Sequence, residues 1–478
     1  MKKMISVLLA LVMILSLSTT VLAAENVEIS VTDDRSYKVY QIFTGDLSES
    51  TLSNIEWGQN GTGAVATAVD KDTLDALTAV SGKPEADKLT EIKKYVNLES
   101  NPVGTVSKDA SLSVTTGYYL LKDVSTVGQG QELSSFVVEI VGPTTIRPKV
   151  GEVTSEKKVK DTNDTAGATT DWQDSADYDI GDEVFFRLKG TVTDKYDHYD
   201  SYYYCFHDTL SAGLSFSVNS VKVYVDGVLL ENPKEGNRFY EIVTSELDDN
   251  CTFEIEFTNL KTIETVKAGS IITVEYTATL NDNAVLGPAG NPNEMYLEYS
   301  NNPNGVERGT TPEDKVIVFT YKVVVNKIDG ETREALKGAG FTLYKKDSVG
   351  KWNVIGEEIK GTDLTTFEWK GLDDGDYKLS ETTTPAGYNT MADIEFTISA
   401  THDIESADPK LTALDGGGLA TGEVEAGTIS KDIENNKGTV LPETGAMGTM
   451  MFITFGSMLA MAAVTFMVTR KKMSIYKD

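Results

Sequence analysis

The chain has 478 residues and a formal charge of −30, with 73 Asp and Glu against 43 Lys and Arg. That balance excludes nucleic-acid binding, which needs basic patches, and fits an extracellular protein whose copies should not clump. Two cysteines, Cys205 and Cys251, are too few for a disulfide scaffold, and their pairing stays open because spacing says nothing about their geometry. In chain order, Met1-Lys2-Lys3 makes a short basic start, and Met4 to Leu15 is apolar apart from Ser6. Val21-Leu22-Ala23-Ala24 then places small residues where a signal peptidase cuts, after Ala23 or, as the near alternative, after Ala24. Residues 1–23 are read as a signal peptide.

Residues 24–150 mix strand and helix signals. Tyr37 to Phe43 alternates as a strand and is expected to end at Thr44-Gly45. Ala64 to Val80 and Ala86 to Val96 have helical spacing, the second opened by Pro84. Gly117 to Leu121 and Phe136 to Val141 return to strand, and Ile146-Arg147-Pro148-Lys149-Val150 closes the segment. Residues 151–321 read as nearly all β, in alternating runs at Glu183–Leu188, Ser220–Val225, Cys251–Phe257, Ile271–Leu280 and Met295–Tyr299. Turns rich in Gly, Asn and Asp separate them, as in a sandwich. Residues 322–438 form a third β unit, with strands expected at Val323–Lys327, Phe341–Tyr344, Tyr377–Glu381 and Ile394–Phe396. The fold class is mainly β: tandem immunoglobulin-like β-sandwiches, the first with some helix.

Leu441-Pro442-Glu443-Thr444-Gly445 precedes Ala446 to Val468, 23 residues without a charge. As a helix that run is about 34 Å long, enough for a hydrocarbon core of roughly 30 Å. Residues 446–469 are therefore read as a membrane segment, and 470–478, opening with Arg470-Lys471-Lys472, as a cytoplasmic tail. His198, His207 and His402 are scattered, and no HExxH, CxxC, Walker loop, nucleophile elbow or dinucleotide fingerprint occurs. Neither an enzyme, a cofactor nor a metal is expected.

Strand parity exposes an anomaly. Phe319, Tyr321, Val323 and Val325 share a face with Lys327, and Val153, Ser155 and Val159 share one with Lys157. A charged, unpaired lysine inside a sandwich costs several kcal/mol, so it should lose its proton or react.

Three motif sets carry a resemblance to sortase-assembled Gram-positive backbone pilins. Leu441–Gly445, the apolar span and the basic tail together resemble an LPXTG cell-wall sorting signal. Tyr377-x-Leu379-x-Glu381-Thr382 with Pro385-Ala386-Gly387-Tyr388 resembles the glutamate box of a Cna-B domain. Glu156-Lys157-Lys158-Val159, His207-Asp208-Thr209-Leu210 and Gly290-Asn291-Pro292-Asn293 resemble the middle pilin domain. The resemblance implies internal amide crosslinks, Lys327 to Asn435 (or Asn436) assisted by Glu381 and Lys157 to Asn293 (or Asn301) assisted by Asp208. Ile146-Arg147-Pro148-Lys149 is similar to the pilin motif, which implies that a sortase joins Thr444 of one subunit to Lys149 of the next.

The implied function is a structural subunit of a covalent pilus, exported, anchored to the wall and supporting adhesion. The alternative is a wall-anchored adhesin or minor pilin outside the shaft. Implied partners are pilus-type and housekeeping sortases, identical subunits, peptidoglycan, minor pilins and host surface ligands.

Overall fold

The structure, a computed structural model, describes residues 26–48, 51–233, 236, 238–438 and 446–475. The signal peptide and Leu441–Gly445 lie outside the described residues. The described chain is mainly β, and its buried apolar residues form separate cores along the sequence.

The N-terminal part carries a five-stranded and a three-stranded sheet. Strand Ser36–Ser48 continues past the expected stop at Gly45, because an irregularity between Thr44 and Asp46 lets it resume pairing with Thr51–Trp57. The expected helix from Ala64 begins only at Lys71, where the Asp70 side chain accepts from Thr73 N at 2.9 Å. Residues before this cap pair across to Trp57 instead, through Ala66 N and the Thr67 carbonyl. The second helix, Glu85–Lys93, follows Pro84, and both helices bury Leu77, Leu89 and Ile92 against the larger sheet.

The middle part packs two antiparallel-rich sheets over one core. One sheet contains Ser155–Val159, Glu183–Thr191 and Ile271–Leu280; the other contains Tyr204–Leu210, Asn291–Ser300 and Asp314–Phe319. Alternation explains the facing: Ile272, Val274, Tyr276, Ala278 and Leu280 point inward from one strand. The expected strand at Cys251 starts at Phe253, since Cys251 lies in the turn that Asp249 closes through a bond from Cys251 N.

The C-terminal part strings nine strands along one path. Its first strand, Tyr321–Asp329, lies between Thr366–Leu372 and the last strand, Thr428–Asn435, which it pairs in parallel register, Lys327 opposite Ile433 and Asp329 opposite Asn435. Where the middle and C-terminal parts meet, Gly287 and Gly427 pass with φ of 74° and 57°. A Cβ on Gly287 would lie 2.8 Å from Gly427 N, so both positions require glycine.

Helix Ala446–Ile475 stands apart from these cores. Its segment Met451–Lys471 has mean hydropathy 2.0 and is long and apolar enough to cross a membrane.

Candidate functional site: two buried lysine clusters and an exposed lysine

Lys157 is on an inward position of Ser155–Val159 and is 0% exposed. Its Nζ donates to Asp208 Oδ2 at 2.5 Å and to the Tyr276 hydroxyl at 3.1 Å. That hydroxyl donates to Asp208 Oδ2 at 3.0 Å and accepts from Asn293 Nδ2 at 2.8 Å. The aromatic rings of Phe186 and Tyr276 flank the amine. Asp208 Oδ1 and Asn293 Oδ1 are buried without a hydrogen-bond partner. Burial lowers the Lys157 pKa and raises that of Asp208, each opposed by the other's charge. Both shifts favour the neutral amine and the neutral acid.

Lys327 is likewise 0% exposed, against the Phe341 ring. Its Nζ donates to Asn435 Oδ1 at 2.6 Å and lies 3.6 Å from Glu381 Oε1. Asn435 Nδ2 donates to both Glu381 oxygens, at 2.7 and 3.0 Å, and Met391 N donates to Oε2 at 2.9 Å. Burial again lowers the lysine pKa, with Glu381 opposing it. The amine therefore faces the amide oxygen while the acid holds the amide nitrogen.

The structure thus brings together Lys157, Asp208 and Asn293, and separately Lys327, Glu381 and Asn435. The alternatives lie elsewhere. Asn301 accepts on its carbonyl from Leu133 N, and Asn436 accepts on its carbonyl from Asn389 N. Sequence reasoning missed Tyr276, although a tyrosine at an inward position of an otherwise aliphatic strand was a usable signal. In the middle cluster Asn293 lies near the start of strand Asn291–Ser300, and strand Asp314–Phe319 follows it. Among the described residues of the N-terminal part, the buried ion pair is Arg35 with Asp123, at 2.6 Å. A guanidinium stays protonated and is a poor nucleophile.

Lys149 is exposed and ion-paired with Asp194, which raises its pKa. It sits at the rim of a groove of about 760 Å³ lined by Pro84, Leu89, Ile146, Pro148 and His198. Cys205 and Cys251 are both free and buried.

Comparison with known proteins defines the class first. Residues 321–410 match the SpaA family, a prealbumin-like fold domain, and residues 433–474 match the LPXTG cell wall anchor motif. The class is a mainly β protein with the fold of a backbone pilin and an LPXTG cell-wall anchor motif. More particularly, the chain is 24% identical over 337 residues to the trypsin-resistant surface T6 protein of Streptococcus pyogenes serotype M6. That alignment covers 55% of this chain and 60% of the relative. The solved three-domain T6 backbone pilin of serotype M6 S. pyogenes superposes with TM-score 0.56 at 18% identity, covering 88% of this chain and 100% of that one.

Proposed function

We propose that this chain is a shaft subunit of a covalently polymerised, wall-anchored pilus and that each lysine cluster closes an amide crosslink. The supporting observation is the pair of dry lysine–acid–asparagine clusters upstream of a wall-anchor motif.

In each cluster the neutral lysine Nζ attacks the asparagine Cγ, forming a C–N bond. The asparagine Nδ2 leaves as ammonia after taking up a proton. Glu381 sits against that leaving nitrogen directly, whereas Asp208 reaches Asn293 through the Tyr276 hydroxyl. Packing supplies the proximity that a bimolecular amidation lacks. The C-terminal link would close a loop of 108 residues. By the loop-entropy account used for disulfides, such a link is worth about 5 kcal/mol.

For polymerisation, a sortase thiol would attack the Thr444 carbonyl, releasing Gly445, and the Lys149 amine would displace the thiol. The neighbouring Asp194 carboxylate favours the ammonium form of Lys149 further, a contact the enzyme must replace. The units 24–150, 151–321 and 322–438 then repeat along the filament, with Thr444 and Lys149 joined head to tail.

Intact mass of residues 24–438 should fall two ammonia molecules below the sequence mass. A full sequence mass would overturn the crosslinks. Wall extracts should give a ladder of covalent multimers in denaturing gels, lost in Lys149→Ala while anchored monomer remains. A ladder that survives in Lys149→Ala assigns the acceptor to another lysine. Absence of a ladder from wild type beside its own sortase favours the anchored adhesin or minor pilin.

A further inference from the structure

Where the middle part meets the C-terminal part, aspartates outnumber the cations that could neutralise them. The Lys345 ammonium is fully engaged there by Asp164, Asp179 and Asp373. Asp161 and Asp177, on the middle part, face His402 at the end of strand Ile394–His402 on the C-terminal part. One carboxylate oxygen from each aspartate and a His402 ring nitrogen lie within 4.8 Å of one another. Asp177 is 2% exposed with Oδ2 unpartnered, and Asp161 Oδ1 is also buried without a partner. The buried Tyr321 hydroxyl stands beside Asp177 and acts on its carboxyl as a hydrogen-bond donor, although neither that hydroxyl nor Oδ2 completes a bond of good geometry.

The histidine's hydrogen bonds set its tautomer. Ser175 Oγ donates its single proton to the Asp403 carbonyl at 2.6 Å, so it accepts from His402 Nδ1 at 2.7 Å. In the neutral ring the Nε2 lone pair then points toward the carboxylates, 3.7 Å from Asp161 Oδ2. Three lone-pair donors converging in a half-dry pocket repel one another until a proton or a metal cation lies between them. Ligands at about 2.1 Å from one ion in tetrahedral geometry are separated by about 3.4 Å, slightly less than the histidine–Asp161 separation here.

We propose that Asp161, Asp177 and His402 bind a divalent transition-metal ion that clamps the middle part to the C-terminal part. Two carboxylates and a neutral imidazole balance the charge of a divalent ion. The imidazole nitrogen selects an ion such as Zn²⁺ over Ca²⁺ or Mg²⁺, which take oxygen ligands. Ser175 is the outer partner that holds the ring, as ligating histidines require. Asp161, with its side chain 15% exposed, leaves a route for entry.

A second set of donor residues must be separated in any test. His207, Asp249, Cys251 and Glu254 also converge. There the imidazole Nδ1 is already paired with Asp249 at 2.9 Å, and Tyr296 donates to the same carboxylate oxygen at 2.5 Å.

The test titrates the full chain in detergent with Zn²⁺ and, for spectroscopy, with Co²⁺. Wild type should bind with a rise in melting temperature. Asp177→Asn and His402→Gln should each bind at least roughly tenfold more weakly and lose that rise. Cys251→Ser should keep both. Bound Co²⁺ should lack the thiolate charge-transfer absorption that Cys251 ligation would produce. Intact mass and near-UV circular dichroism establish that each variant is folded. Unchanged binding in folded Asp177→Asn and His402→Gln, or binding abolished by Cys251→Ser, overturns the proposal. The mass deficit of two ammonia molecules reports separately on the crosslinks.

Discussion

Each lysine cluster sets a lysine beside an acid and an asparagine, but in different architectures. In the middle part Lys157 and Asn293 stand on opposite sheets, and the Tyr276 hydroxyl spans the space between them. In the C-terminal part Lys327 and Asn435 stand on adjacent parallel strands, the first and last of that unit, and Glu381 touches the amide directly. A link between sheets resists separation of the layers. A link between the first and last strands carries tension past everything folded between them. The proposed crosslinks therefore suit two mechanical tasks, according to which strands topology has made neighbours.

The strongest test of this contrast removes an acid. Asp208→Ala should lose the middle link and leave Lys157 in a dry core. Breaking a buried pair costs about 3–5 kcal/mol, beyond the ~5 kcal/mol assigned to the link. Denaturant unfolding should show that drop, and the mass should regain one ammonia. An unchanged mass removes Asp208 from the reaction.

Lys327→Ala should be milder, because it deletes the buried charge along with the link. The C-terminal part should stay folded on its apolar core, lose about 5 kcal/mol, and become susceptible to protease. Protease survival equal to wild type would mean that this link contributes nothing.

Glu132 extends the comparison to a buried acid that meets hydroxyls instead of an amine. It reaches from the N-terminal part to Thr193, Tyr199 and Tyr202 of the middle part. Burial raises its pKa to about 7, against the hydrogen bonds from Thr193, Tyr202 and Tyr199. Since the folded value exceeds the unfolded one, its contribution is full below the ordinary carboxylate range and is lost as pH rises through about 7. Between pH 5 and pH 8 wild type should lose roughly 2–3 kcal/mol that Glu132→Gln does not. Parallel pH profiles for the two proteins would exclude this role.

The smallest effect separates the clusters most cleanly. Tyr276→Phe deletes the relay hydroxyl of the middle cluster alone, at about 1–2 kcal/mol of stability. The ammonia of the middle link should be lost slowly or only in part, while the C-terminal link forms normally. Full crosslinking at wild-type rate would show that Asp208 acts on Asn293 without the tyrosine.

Period-two alternation by itself determined that Lys157 and Lys327 point into cores, because a strand's side chains have only two directions. The terminal apolar segment, the wall-anchor motif and the β-rich class were legible for a related reason: each is encoded in contiguous residues. Short local signals misled where tertiary pairing overrode them, as at Ala64–Val69 and at Gly45. Only the tertiary structure decided that Tyr276 stands between Lys157 and Asn293, and that the first and last C-terminal strands run side by side. It alone brought His402 to Asp161 and Asp177, and Glu132 to three hydroxyls. These contacts join residues far apart in sequence, and their register follows from packing and sheet order, which no local pattern encodes.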